Sequence, residues 1–282
     1  MHYQEFTPPP HLAKYVRYFW TLESDGPQEE VQTFRPIADG CPGLIYQPGF
    51  RDETNKELPD LFLYGQTTTQ VDLTVNDKIN AAGIYFQPDV LRTLFNLNAV
   101  EHTNGCLDPD LLSGKQHDKF LSEKLLSASS PANKIAVLSD YVLSLLKRNN
   151  LQEDDVTQYA LSRIHASNGI LSLKDLHEEI RLSERTLERK FREQVGISAG
   201  LYARICRFQS ALDQLRQNNY DKLSDIAYDN EYADQSHFIR AFKEFAGSTP
   251  NQFQKNASEL VKNFPVVSHK EVPPRRQGTK KH

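Results

Sequence analysis

The chain has 282 residues, 38% hydrophobic and 25% charged, with a net charge of −4. That length suits two domains, and no apolar run approaches the 18 or more residues that a membrane span requires. Three widely spaced cysteines, Cys41, Cys106 and Cys206, argue against a disulfide framework or a CxxC zinc site; with no basic start followed by an apolar run, the expected setting is a reducing cytoplasm.

Residues 1–130 read as a strand-rich, mixed domain. Candidate strands are Val16–Leu22, Gly43–Tyr46, Leu61–Tyr64, Val71–Val75 and Ala82–Phe86, separated by Pro, Gly, Asp and Asn clusters such as ADGCPG. Gln87-Pro88 ends the last strand, and Asp89 is a candidate N-cap for a short helix carrying Val90, Leu91, Leu94 and Phe95.

From Ser130 the period changes to 3.6. Pro131 can sit in the first turn of a helix whose apolar face is Ile135, Leu138, Val142, Leu145 and Leu146, ending at Asn149-Asn150. Residues 131–155 are expected to form a helical linker. A second run covers Val156–Ile164. After Asn168-Gly169 the pattern predicts short helices over about 173–180, 184–194, 199–216, 222–229, 235–245 and 250–260. The end, 259–282, has prolines, six basic and two acidic residues and no apolar period, which predicts a disordered basic tail. Such a tail serves as a nonspecific DNA arm or simply as a solubilising end.

The helical half contains a repeat. At an offset of 51, Leu187 meets Phe238, Arg189 meets Arg240, Phe191 meets Phe242, Arg192 meets Lys243, and Gly196 meets Gly247. Upstream the offset falls to 50, where Leu176 meets Ile226 and Leu182 meets Tyr232. A short helix, a tight turn and a second helix make a helix-turn-helix, present here twice. Ser183 and Asp234 are candidate caps of the two second helices, Ser172 with Asp175 resembles a capping box, and Gly196 and Gly247 suit left-handed C-terminal positions.

At 100° per residue, Phe238, Ala241, Phe242 and Phe245 share one side of the last second helix, while Gln235, Ser236, Ile239, Arg240 and Lys243 share the other. In the first copy, Leu187 and Phe191 face in, and Arg185, Glu188, Arg189 and Arg192 face out. Arg can bond guanine O6 and N7 and Gln can bond adenine, while distal Lys and Arg suit phosphates. Glu188 can accept from cytosine N4, or pair with Arg185 or Arg192 as an ordinary surface ion pair.

These residues resemble the AraC/XylS family of bacterial transcriptional regulators. The likeness rests on SERTLERKFR (183–192), GISAGLY (196–202), DIA (225–227), YADQSHFIRAFK (232–243) and GSTP (247–250), within roughly 156–258. It implies an α+β chain: a strand-rich N-terminal domain, cupin-like in one form, then an all-α double helix-turn-helix domain with one long helix between the subdomains. It further implies double-stranded DNA as partner, with Arg185, Glu188 and Arg189 as readers in the first copy, and Gln235, Ser236, Ile239 and Arg240 facing DNA in the second. RNA polymerase, a small-molecule effector and a second copy of the chain are further partners the resemblance allows. The chain departs from the family pattern at His177, Ala199, Arg181 and Glu231, the last two in turns where glycine or its equivalent would relieve a positive φ.

An enzyme reading finds little purchase. His102, His117 and His165 form no HxH or HExxH pattern, no GxSxG or glycine-rich phosphate loop occurs, and none of the cysteines has a nearby ligand set. No metal or cofactor is expected. The alternative in another class is a protein-binding co-regulator with weak or nonspecific DNA affinity.

Overall fold

A computed structural model describes residues 1–26, 31–52, 54–68, 72–75, 77–108, 119–149, 153–261 and 264–267. The N-terminal half is built on strands β1 (His2–Phe6), β2 (Val16–Glu23), β3 (Gln32–Phe34), β4 (Gly43–Tyr46), β5 (Leu61–Tyr64), β6 (Leu73–Val75), β7 (Asn80–Phe86) and β8 (Cys106–Leu107). A six-stranded antiparallel sheet runs β1-β2-β7-β4-β5-β8. Its central strands are apolar on both faces. Phe19, Leu44, Leu63, Ile84 and Phe86 point to one core, and the alternate residues Trp20, Ile45, Phe62 and Tyr85 point to another.

The first core is covered by helices α1 (Val90–Thr93), α2 (Lys119–Ser127) and α3 (Pro131–Arg148). The second core is shared with Phe34, Leu73 and Val75 of a four-stranded sheet, order β6-β3-β10-β9. Strands β9 (Ala257–Val261) and β10 (Phe264–Val267) come from the far end of the chain.

Three expectations change here. Residues 131–148 are not a linker: Leu138, Tyr141, Val142 and Leu145 of α3 are buried in the N-terminal core. Lys134, 1% exposed, fixes that docking by donating to Glu23 Oε1 at 2.6 Å and to Asn80 Oδ1. A buried ammonium requires such partners. Next, the helix expected over 250–260 ends at Asn256, and the disordered tail expected from 259 is instead β9 and β10 up to Val267. β10 pairs with β3 (Val266↔Phe34, Val267↔Thr33), so a long-range ladder overrides a local composition that predicted no structure. The remaining tail, 268–282, lies outside the described residues. Finally, Asp89 sits at the start of α1 but its side chain caps nothing there; it accepts a hydrogen bond from Gln158 Nε2, across the junction between the two halves.

The C-terminal half is helical: α4 (Asp155–Ala166), α5 (Leu173–Ile180), α6 (Glu184–Val195), α7 (Ala199–Arg216), α8 (Leu223–Asp229), α9 (Gln235–Ala246) and α10 (Pro250–Asn256). One continuous core joins them, with Leu187, Phe191, Tyr202, Phe208, Phe238, Phe242 and Phe245 at its centre. Ile37 and Ala38 of the N-terminal half belong to this same core.

Candidate nucleic-acid interface

Two helix-turn-helix pairs are present, α5–α6 and α8–α9, bridged by α7. Local chemistry sets each boundary. The Ser172 hydroxyl accepts from Asp175 N, Ser183 from Thr186 N, Ser198 from Leu201 N, and the Asp234 carboxylate from His237 N. Each cap satisfies one of the amide groups that a helix start leaves without a partner. Gly196 and Gly247 end α6 and α9 at φ 91° and 72°, where a Cβ is strongly disfavoured.

The two turns hold non-glycine residues in the left-handed region, Arg181 at φ 58° and Glu231 at φ 51°. Each strains its backbone by on the order of 1 kcal/mol. The surrounding pairs hold them there: Leu176 and Ile226 lie fully inside, and the amide of Tyr232 bonds Ala227 O at 2.8 Å. His177 stays half-buried on α5, and its Nε2 makes no hydrogen bond.

The faces separate as the periodicity predicts. Leu187, Phe191 and Val195 of α6 are buried, as are Phe238, Ala241, Phe242 and Phe245 of α9. Phe242 packs edge-on against Phe208, Phe238 and Phe253, with centroids 5.4, 5.8 and 5.6 Å away. On the outer side, Arg185, Arg189 and Arg192 of α6 are exposed, as are Gln235, Ser236, Arg240 and Lys243 of α9; Ile239 is half-buried beside them.

The outer residues differ in how they are engaged. Arg189 Nη1 donates to Glu193 Oε1 at 2.8 Å, but both side chains are more than half exposed. Such a pair is worth a few tenths of a kcal/mol and gives way readily to a stronger anion. Among the described residues Arg240 and Lys243 make no ion pair. Glu188, half-buried on the same helix, is engaged within the fold. Its Oε2 accepts from Ala199 N at 3.3 Å, satisfying an amide in the first turn of α7. Lys190, on the flank of α6, donates to Asp154 Oδ1 at 2.7 Å and ties α6 to the start of α4.

Burial pushes the Cys41 thiol up to about 11 and the Cys206 thiol up to about 12, while Cys106 is exposed. Among the described residues no three His, Cys, Asp or Glu side chains converge as a metal site.

Residues 176–256 match a family described as a helix-turn-helix domain, and residues 4–108 match one described as a domain of unknown function (DUF6597). The C-terminal half is an AraC-type double helix-turn-helix module. The chain is 24% identical over 194 residues to an uncharacterized HTH-type transcriptional regulator of Haemophilus influenzae, covering 64% of this chain and 63% of that protein. It is 29% identical over 99 residues to an uncharacterized HTH-type transcriptional regulator of Staphylococcus aureus strain COL, covering 35% of this chain and 13% of that one. The chain thus spans less than two thirds of the length of these relatives. Among solved structures, ToxT from Vibrio cholerae aligns over 83% of this chain and 97% of its own at 16% identity and a TM-score of 0.45. The C-terminal domain of AraT from Geobacillus stearothermophilus aligns over 36% of this chain and 85% of its own at 26% identity and a TM-score of 0.34. Both likenesses are too loose to bear on function.

Around the AraC-type module, the N-terminal half makes contacts that no local sequence pattern announces. A cavity of about 280 Å³ lies between the halves, lined by Arg17, Tyr18 and Asp39 on one side and Tyr202, Gln209 and Asp213 on the other. Arg17, Asp39, Gln209 and Asp213 give the cavity a partly polar wall, and Arg17 Nη1 is also 3.0 Å from Cys41 Sγ behind it.

Proposed function

We propose that the chain is a sequence-specific DNA-binding transcriptional regulator whose two recognition helices, α6 and α9, enter adjacent major grooves. One observation carries the reading: a basic, exposed face occurs twice, at equivalent positions 51 residues apart, each at the outer side of a second helix of a helix-turn-helix pair. Recognition helices present their N-terminal residues to base edges, which assigns reading to Arg185 and Arg189 and to Gln235, Ser236, Ile239 and Arg240. Arg192 and Lys243, a turn or more further on, suit phosphates.

The 1–149 half is the regulatory domain in this reading, and the polar cavity at the junction supports a small polar effector held by groups from both sides. RNA polymerase and a second copy of the chain are further partners, and the cytoplasm is the place of action.

Selection of bound sequences from random duplex DNA, followed by footprinting, tests the core of the proposal. Two protected blocks about one helical turn apart are expected. Arg240→Ala should weaken binding to the selected site by about 1–3 kcal/mol. Equal binding of variant and parent removes Arg240 from the readers, and a single block shorter than one turn refutes the two-groove mode.

A further inference from the structure

We infer that the N-terminal domain sets the spacing at which the two recognition helices meet DNA, and that Thr103 and Gln209 are the specificity-determining residues through which it does so. The inference rests on the two-groove reading above and adds to it a part for residues far from the DNA face.

The N-terminal half hydrogen-bonds each recognition helix at its C-terminal end. At the end of α6, Thr103 Oγ1 donates to Gly196 O at 3.1 Å. The approach is close: a Cβ on Gly196 would lie 2.6 Å from Ala99 O. At the end of α9, Ala38 N donates to Phe245 O at 3.2 Å. The Ala38 carbonyl in turn accepts from Gln209 Nε2 of α7 at 2.7 Å. Carbonyls in the last turn of a helix lack intrahelical donors, so these ends offer free acceptors to any element that reaches them.

Both anchoring loops are themselves fixed to the N-terminal domain. Arg35, just before Ala38, makes a two-point bond to Asp72 at 2.8 and 2.9 Å. Next to Thr103, Asn104 N donates to Gln66 O at 2.9 Å and Asn104 Oδ1 accepts from Thr68 N at 2.7 Å. A third tie comes from the chain end. α10 runs into β9 and β10, and β10 pairs with β3, the strand that leads into the Ala38 loop.

None of these contacts covers the reading face. Arg185, Arg189, Gln235, Ser236 and Arg240 remain exposed with the N-terminal domain in place. The arrangement is a brace and not a block. Without it, the main rigid link between the two pairs is α7, 18 residues and about 27 Å long. A shift of one half-site by one base pair moves it about 3.4 Å along the duplex and turns it about 35° around the axis. A braced pair of helices discriminates against that shift, and a loosened pair follows it.

The test uses the full chain and its selected operator, with the spacer between the two contact blocks lengthened or shortened by one base pair. The parent is expected to lose at least tenfold in affinity on either altered spacer. The double variant Thr103→Val, Gln209→Leu should bind the original spacer within about threefold of the parent and lose no more than about threefold on the altered ones. Thr103→Ser alone keeps the hydroxyl donor and should retain the parent's tenfold penalty. Melting curves establish that each variant is folded; if the double variant is not, Gln209→Leu alone must show a reduced penalty, and an unreduced one overturns the inference. Equal spacer penalties in the parent and a folded double variant overturn the brace while leaving DNA reading intact. No two-block operator for the parent overturns the two-groove reading and the brace with it.

Discussion

Replacing Asp89 by asparagine should stabilise the protein at neutral pH and have much less effect in acid. Asp89 is 4% exposed at the junction between the halves. Burial pushes its carboxyl up to about 6 from the ordinary 3.8, against the opposing pull of the Gln158 amide. A carboxyl whose folded value is raised binds its proton more tightly in the folded state. Its penalty is therefore nearly absent below pH 3.8, grows as pH rises, and is fully present above about 6. A rise of about two units at about 1.4 kcal/mol each gives about 3 kcal/mol near pH 7.5, against about 1 kcal/mol near pH 4.5. Asparagine carries no charge to desolvate, and its Oδ1 can still accept from Gln158. For a chain of this size, the variant's melting temperature should exceed the parent's by about 6 °C or more at pH 7.5, with that gap shrinking to a third by pH 4.5. Thermal melts of both proteins at the two pH values measure this. A variant no more stable at pH 7.5, or a gap that does not change with pH, would refute the claim that docking α4 against α1 traps a desolvated carboxyl.

Other outcomes follow from the same geometry. Phe242→Ala removes a ring packed against three other aromatic rings and should cost about 3–5 kcal/mol in chemical denaturation. Glu188→Ala should lower stability by about 1 kcal/mol while leaving operator affinity and base preference unchanged, because its carboxylate serves the start of α7; a changed base preference in a selection experiment would return it to the readers. Lys243→Ala should weaken binding to all sequences alike and reduce the slope of log affinity against log salt by about 1; an unchanged slope would remove it from the phosphate contacts.

The helical module was legible because its signals are local. A 3.6 period, a cap three residues before each first amide, and a glycine at each left-handed end lie within single helices, and the structure has them at Ser183, Asp234, Gly196 and Gly247. The central strands were legible for the same reason, since β4 and β5 begin and end where their apolar runs do. β1 and β3 were not foreseen. β1 is a polar edge strand that exists by pairing with β2, and β3 is three residues long between β6 and β10. Glu188 shows the limit at the level of one side chain. Helical spacing placed it on the outer face, but its partner, Ala199 N, lies beyond the turn at Gly196.

What the sequence by itself determined is the second helix of each helix-turn-helix pair, their buried aromatic faces and the outward basic residues, since each depends on side chains within a turn or two of one another. Tertiary structure alone decided that α3 belongs to the N-terminal core, that the chain's end returns as a strand, and that Thr103 and Ala38 reach the ends of α6 and α9. Those contacts join residues 93 and 207 positions apart and leave no period in the chain, because a backbone carbonyl can be met by any donor that the rest of the fold carries to it.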